Sequence, residues 1–396
     1  MEQERVKAAV EKAGNYVDRL TIGSIENVPK KMVPSQHRFF TWDNEKRTPP
    51  NKTLLFNYSY FTGVVMEGVY DIYEANPEEG RVYYDYVKEY LDSLIKQEGD
   101  GRWVLDFDMA GYVDYHGADC YKTAALFERF SQGEDAYGEI AAELYRHLTD
   151  ETYVNSQGVT PCLEKMPEEM GHNYRHNWAD EARYKIWLDG IYMLQPFIAH
   201  HAARIGDEKQ LGLVQERLDW VAETLLAPNG LYYHAGNSKE DVCNFFWTRA
   251  MGWYGMAMVD VMEVLPEEYL EKRKAALKLF VDGVLKYQSK NGLWANLADQ
   301  PATETNRQES SGTAMMAYII LKGIRKGWLD RAYLEAGLKA FVGLTEEKLD
   351  EGGLRDIYMR ADASGKNNYE LTEFYCTDEG KGSGPFIMAY SEMLYL

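Results

Sequence analysis

The feature that most constrains this chain is the alternation of its connections. Apolar residues recurring every three to four positions predict helices near 2–20, 54–75, 80–97, 120–132, 137–149, 187–204, 207–226, 246–264, 268–288, 311–326, 331–347 and 383–395. No long alternating strand segment accompanies them. Five connections are very short: ANPEEG at 75–80, SQGED at 131–135, IGDEK at 205–209, LPEE at 265–268 and KGWLD at 326–330. Each carries Gly or Pro with polar residues that end one helix and cap the next. The others are long and rich in glycine, aromatic and polar residues, such as GDGRWVLDFDMAGYVDYHGAD at 99–119, NGLYYHAGNSKEDVCNFFWTR at 229–249 and NGLWANLADQPATETNRQES at 291–310.

In stacked antiparallel hairpins, all short turns fall at one end and all long loops at the other. An open solenoid would use the same local packing. A closed ring is preferred, because six pairs fill one turn and the chain has no polar capping repeats. The expectation is an all-α, double-layered (α/α)6 barrel of six helical hairpins, with residues 1–396 as one catalytic domain. The long loops then crowd one rim, where ligand sites favour loop-built openings.

Six such openings can be read: FNYSYFTG at 56–63, YHGADCYK at 115–122, YKIWLDG at 184–190, FFWTRAMGWY at 245–254, RQESSGTA at 307–314 and EGKGSGPF at 379–386. Ordinary N-capping accounts for Asp119, Ser310 and Ser383. It does not account for Trp187, Asp189, Arg249 or Trp253. Asp189 falls in the first turn of a helix beside Trp187 and Tyr192. Those rings withdraw water and favour a protonated carboxyl, whereas a helix N-terminus favours the ionised form. The alternative is a buried Asp that serves the backbone as a cap. Asp119 occupies a corresponding place two helices earlier, with Asp106, Asp108 and Asp114 as competitors in the same loop. Two rim carboxylates across a cavity suit acid/base work on a sugar. Arg249, between Trp247 and Trp253, could clamp a carboxylate with two hydrogen bonds or pair with a rim acid.

Composition narrows the partners. The net charge is −20, which excludes nucleic acid and anionic membranes as ordinary partners. An anionic substrate would need local cations against that field. Aromatic residues make up 13%, with 30 Tyr and 9 Trp, which suits stacking on sugar rings or a well-filled core. The four cysteines form no CxxC, the charged opening MEQERVKAAV has no apolar signal segment, and no run approaches ~18 apolar residues. A cytoplasmic protein without metal or cofactor is expected. His172 and His176 in HNYRH have metal-compatible spacing without a third ligand. GKGSG at 380–384 is neither a P-loop nor a dinucleotide fingerprint. His200 and His201 are expected only to complement a helix end.

Five runs together resemble a known family: IWLDGIYM, GLYYHAG, FFWTRAMGWYGMAMVDVMEVLP, ESSGTAMMAYIILKGIRKGWLDRAY and GSGPFIMAYSEM. In order, from about residue 55 onward, they resemble the unsaturated rhamnogalacturonyl hydrolases of glycoside hydrolase family 105. The resemblance implies an (α/α)6 barrel acting on short oligosaccharides whose nonreducing uronic acid carries a C4=C5 double bond. An acid protonates C4, water adds at C5, and the resulting hemiketal opens and expels the neighbouring sugar. Position by position, the resemblance assigns Asp189 as general acid/base and Asp119 as a second active-site aspartate. It assigns His234, Arg249, Trp253, Trp187 and Tyr60 to substrate binding, with Arg249 and Trp253 holding the uronate carboxylate and ring. The family's tryptophan–histidine pair before WLDG is replaced here by a longer run at 160–185, in which His172 or His176 takes the histidine's place. Two other functions remain in view. A sugar epimerase or isomerase on the same barrel would want paired inner histidines, and a noncatalytic sugar-binding barrel would have no use for Asp189.

Overall fold

The computed structural model describes residues 3–22, 60–106, 118–131, 135–151, 185–361, 363 and 366–396. Among them are α-helices at all twelve expected places: α1 Gln3–Leu20, α2 Tyr60–Ala75, α3 Arg81–Asp92, α4 Ala124–Phe130, α5 Ala136–Arg146, α6 Leu188–Ile205, α7 Glu208–Thr224, α8 Thr248–Val261, α9 Glu267–Leu285, α10 Ser310–Arg325, α11 Leu334–Glu347 and α12 Gly380–Met393. The even-numbered helices pack side by side in chain order, and α12 packs back onto α2, closing an inner ring. Helices α3, α5, α7, α9 and α11 lie outside the inner helices they follow, and α1 takes the sixth outer place against α11 and α12. This is the (α/α)6 barrel that the alternating connections imply.

Sequence explains which helices go inside. In α10, every residue from Ser310 to Gly323 is buried, and α8 is nearly as enclosed. In outer α3 only Tyr86, Val87, Tyr90 and Leu91 are buried, one stripe of an amphipathic helix. Inner helices approach closely where glycine permits it. A Cβ at Gly384 would lie 2.6 Å from Val64 Cγ1, and one at Gly312 would lie 2.6 Å from Thr248 Cγ2. Helix α1 is fastened by Lys12, whose Nζ donates to Thr345 O at 2.5 Å and Leu349 O at 2.6 Å. No helix among the described residues is long and apolar enough to cross a membrane.

Three local expectations are corrected. The helix expected over 80–97 stops at Asp92, because Ile95–Gln97 (β1) turns back through Gly101, at φ 91°, to pair with Trp103–Leu105 (β2). The caps are glutamates rather than Ser310 and Ser383, which lie inside their helices. Glu309 accepts from Ser311 N and Gly312 N, and Glu379 accepts from Lys381 N. His201 does more than complement a helix end: its Nδ1 lies 2.7 Å from Glu128 Oε2 of α4.

The long loops gather where the inner helices begin, and short strand pairs tie them together. Ile186–Trp187 (β3) pairs with Ala235–Gly236 (β4), Leu349–Asp350 (β5) with Gly353–Leu354 (β6), and Ile357–Tyr358 (β7) with Tyr375–Cys376 (β8). The β3–β4 register sets Trp187 opposite Ala235, and the Leu188 N–H donates to His234 O at 3.1 Å. Two segments some 45 residues apart are thereby locked side by side at the mouth of the barrel.

Candidate active site

Five of the six inner-helix openings, all but that of α10, border a cavity of about 110 Å³. Its carboxylates are Asp119 and Asp189, its cations are Arg249, Arg360 and Lys381, and its aromatic walls are Tyr60, Trp187 and Trp247. Tyr60 opens α2, Asp119 sits in the 3-10 turn Ala118–Tyr121 before α4, Asp189 and Arg249 lie in the first turns of α6 and α8, and Lys381 lies in the first turn of α12. Five of the residues expected at the site are thus brought to one cavity: Asp189, Asp119, Trp187, Arg249 and Tyr60.

Asp189 is not a helix cap. Trp187 occupies the N-cap of α6 without a side-chain cap bond, and the Leu188 N–H is taken by His234 O. The Asp189 carboxyl is 18% exposed and borders the cavity, with its Oδ2 3.1 Å from His234 Nε2. Asp119 reaches solvent through the cavity, yet protein surrounds it. That enclosure and the Asp189 carboxylate push its pKa up to about 7, against the pull of Lys381. Water in the cavity tempers the enclosure, so the like charge of Asp189 is the sturdier cause. Burial, together with Asp119 and Glu379, pushes the Tyr60 phenol well above its ordinary range, so it remains a hydrogen-bond donor.

Arg249 is fully committed on one side. Its Nη1 donates to Tyr358 O and, at 3.4 Å, to Ser311 Oγ, while Nη2 donates to Met359 O at 3.0 Å. Its guanidinium lies over the Trp247 ring, 4.3 Å from the centroid, and its Nε has no hydrogen-bond partner among the described residues. The terminal nitrogens therefore hold the loop of β7 in place, which is not the bidentate clamp read from the sequence. Lys381 adds a second cation: its Nζ donates to Met359 O and lies 3.2 Å from Glu379 Oε1. Burial and the neighbouring Arg249 hold its ammonium below the usual lysine range.

Other expected residues lie elsewhere. Trp253 is 1% exposed and faces the barrel interior, stacked on Tyr192 at 5.0 Å. His234 is fully buried behind Asp189 and does not line the cavity. Asp106 pairs with Lys96 at the end of β2, away from the cavity. His172, His176, Asp108 and Asp114 lie outside the described residues. Sequence reasoning passed over Lys381, Met359 and Arg360. Lys381 carried a signal, as a lysine directly at the opening of an inner helix. Met359 and Arg360 follow β7 in an irregular loop that has no period to read.

Comparison with known proteins agrees with the barrel fold. The model of Glycosyl Hydrolase Family 88 matches residues 28–396. Protein Atu3128 of Agrobacterium fabrum is 34% identical over 195 residues, covering 42% of this chain and 83% of that protein. Unsaturated rhamnogalacturonyl hydrolase YesR of Bacillus subtilis is 22% identical over 307 residues, 74% of this chain and 77% of that one. A solved family 105 glycoside hydrolase from C. acetobutylicum superposes with a TM-score of 0.73 at 25% identity, covering 86% of this chain and 94% of that one. The resemblance carried by the WLDG, YHA and FWxRxxGW segments is borne out: the chain belongs to Glycosyl Hydrolase Family 88 and is a glycoside hydrolase.

Proposed function

We propose that this barrel releases the C4=C5 unsaturated uronic acid from the nonreducing end of small pectin-type oligosaccharides left by a lyase, with residues 1–396 acting as one catalytic unit. The carrying observation is the pairing of Asp189 and Asp119 across one cavity that also gathers Arg249, Arg360 and Lys381 in a chain of net charge −20. Cations concentrated in one hollow of an acidic protein suit an acidic sugar. Carboxyl groups facing each other there suit proton transfer.

Asp189 gives a proton to C4, leaving positive charge at C5 shared with the ring oxygen. Water adds at C5 and surrenders its proton to the paired carboxylate. The hemiketal then opens, and the neighbouring sugar leaves with the hydroxyl proton. Trp187 packs against the ring, and Arg249 with Lys381 presents positive charge to the uronate carboxylate. A second assignment has its own support. Asp119, pushed up to about 7, holds a proton near neutral pH and could be the donor, with Asp189 as base. The four cysteines, none of them spaced as a CxxC pair, fit a cytoplasmic setting.

The test is loss of the near-ultraviolet absorbance of the double bond in an unsaturated disaccharide. Wild-type protein consumes it. Asp189→Asn, folded by circular dichroism, does not. A measurable residual rate in Asp119→Asn alongside none in Asp189→Asn assigns the donor to Asp189, and the reverse ranking assigns it to Asp119. Wild-type protein that leaves the absorbance untouched would sink the hydrolase reading, since epimerisation or plain binding keeps the double bond.

A further inference from the structure

Behind Asp189 runs a chain of hydrogen-bonding groups that the hydration chemistry does not itself call for. His234 Nε2 lies 3.1 Å from Asp189 Oδ2, and His234 Nδ1 lies 2.6 Å from the Tyr369 hydroxyl. That hydroxyl in turn lies 3.4 Å from Cys243 Sγ. His234 and Tyr369 are fully enclosed and Cys243 is 1% exposed, so the chain runs inward from the cavity into dry protein. Tyr369 is fixed at both ends. Its carbonyl accepts from Asn296 Nδ2 at 2.7 Å, and its ring stacks on Phe245 at 4.4 Å.

We propose that Tyr369 is a positioning residue for the reaction of Asp189, acting through the tautomer of His234. This rests on the hydrolase reading above. A neutral imidazole between a phenol and a carboxyl has two proton arrangements. In the first, the Tyr369 O–H donates to Nδ1, and the Nε2–H donates to Asp189 Oδ2. In the second, the Nδ1–H donates to the Tyr369 oxygen, Asp189 donates its own proton from Oδ2 to Nε2, and the phenol turns its hydrogen away from the imidazole. A phenol donates to an imidazole nitrogen more readily than it accepts from one, and a carboxylate accepts more readily than it donates, so the first arrangement wins.

The consequence falls on Asp189. With Oδ2 receiving the Nε2–H, the proton exchanged with the sugar travels through the other carboxyl oxygen, the one left to face the cavity. In the second arrangement the acid proton would point away from the substrate. In this arrangement the imidazole holds its proton in place and passes none on. It only fixes where the existing one sits.

The measurement is nitrogen NMR on protein labelled at its histidines, with the His234 signal identified by its disappearance in His234→Gln. The expected result is the Nε2–H tautomer in the wild type. In Tyr369→Phe that tautomer loses its dominance, and kcat falls on the order of tenfold or more while KM stays within about twofold. A wild-type signal with the proton on Nδ1 overturns the proposal, whether or not the variant folds. So does a folded Tyr369→Phe that keeps both the tautomer and the wild-type kcat, since Tyr369 would then only fill space. Wild-type protein that leaves the double-bond absorbance untouched would defeat the functional reading instead, and the wild-type tautomer would still report on the hydrogen-bond chain.

Discussion

Arg249 and Lys381, from two different inner helices, converge on one acceptor, the carbonyl oxygen of Met359. One neutral carbonyl cannot balance two cations, and Glu379 answers only Lys381 directly. Both cations border the cavity, beside Arg360. Replacing Lys381 by Met removes a charged hydrogen bond of about 1.5–3 kcal/mol, so KM should rise roughly ten- to hundredfold with kcat changed less. Arg249→Met should do the same and also lower the melting temperature, because it frees the loop of Tyr358 and Met359. Steady-state absorbance kinetics and thermal melts separate the two. An unchanged KM in Lys381→Met would remove that lysine from substrate binding.

Asp119 ties the site to pH. Its carboxyl holds its proton up to about 7 in the folded protein, whereas an unfolded aspartate releases it near the ordinary value of about 3.9. Between those limits the folded state binds more protons, so the stability contributed by this group falls as pH rises through that window. Asp119→Asn should therefore melt higher than wild type at pH 8 and nearly together with it at pH 4. Water reaches Asp119 through the cavity, which makes the difference smaller than full burial would. Melting curves at both pH values check it, and an equal offset at the two would remove the linkage.

What could be read in advance follows the range of the interactions. The twelve helices were legible because apolar periodicity and cap residues are local, and their ring followed from loop lengths alone. Asp189 was legible because its motif, Trp–Leu–Asp–Gly at a helix opening, is local too. His234 was not legible in its actual place. It was read as a substrate contact, yet the β3–β4 pairing carries it behind Asp189, and that pairing spans two loops. The same holds for Arg249, whose partners Tyr358 and Met359 lie more than a hundred residues away. Tyr369 sits in irregular backbone after β7, where no period or motif marks it.

The opposite end of the barrel offers a control on stability without chemistry. A smaller cavity there, about 60 Å³, is bordered by Lys322, Asp260 and Glu263. Lys322 Nζ lies 2.7 Å from Asp260 Oδ1 and 3.1 Å from Glu263 Oε2, and it also donates to the Tyr318 hydroxyl. Burial alone would push Glu263 up, but Lys322 and Lys326 hold it well below the usual carboxylate range. Lys322→Met leaves the partly buried Asp260 short of a cation while Glu263 keeps Lys326 at 2.8 Å, a loss of about 1.5–3 kcal/mol. Chemical denaturation should show that loss, while the folded fraction retains its kcat and KM. A drop in kcat per folded molecule would mean that the two ends of the barrel are coupled.

The two tryptophans that sequence reading grouped together divide the last prediction between them. Trp187 borders the cavity and meets His234 edge-on at 5.1 Å, so a sugar ring can reach it. Trp253 stacks on Tyr192, whose ring in turn carries Lys122 Nζ at 3.7 Å, and Lys122 pairs with Glu67 at 2.6 Å. That column fills the barrel interior and, among the described residues, leaves Trp253 no open face for a ligand. Trp187→Phe should therefore raise KM several-fold with little change in melting temperature, since an aromatic contact with the substrate is worth about 1 kcal/mol. Trp253→Phe should leave KM alone and lower stability by roughly 1–3 kcal/mol, because the smaller ring opens a void against Tyr192. Kinetics and melts on the two variants form a crossed test. If Trp253→Phe raises KM while Trp187→Phe leaves it unchanged, the sugar binds deeper in the barrel than the cavity indicates, and Asp189 sits too near the rim to reach its double bond.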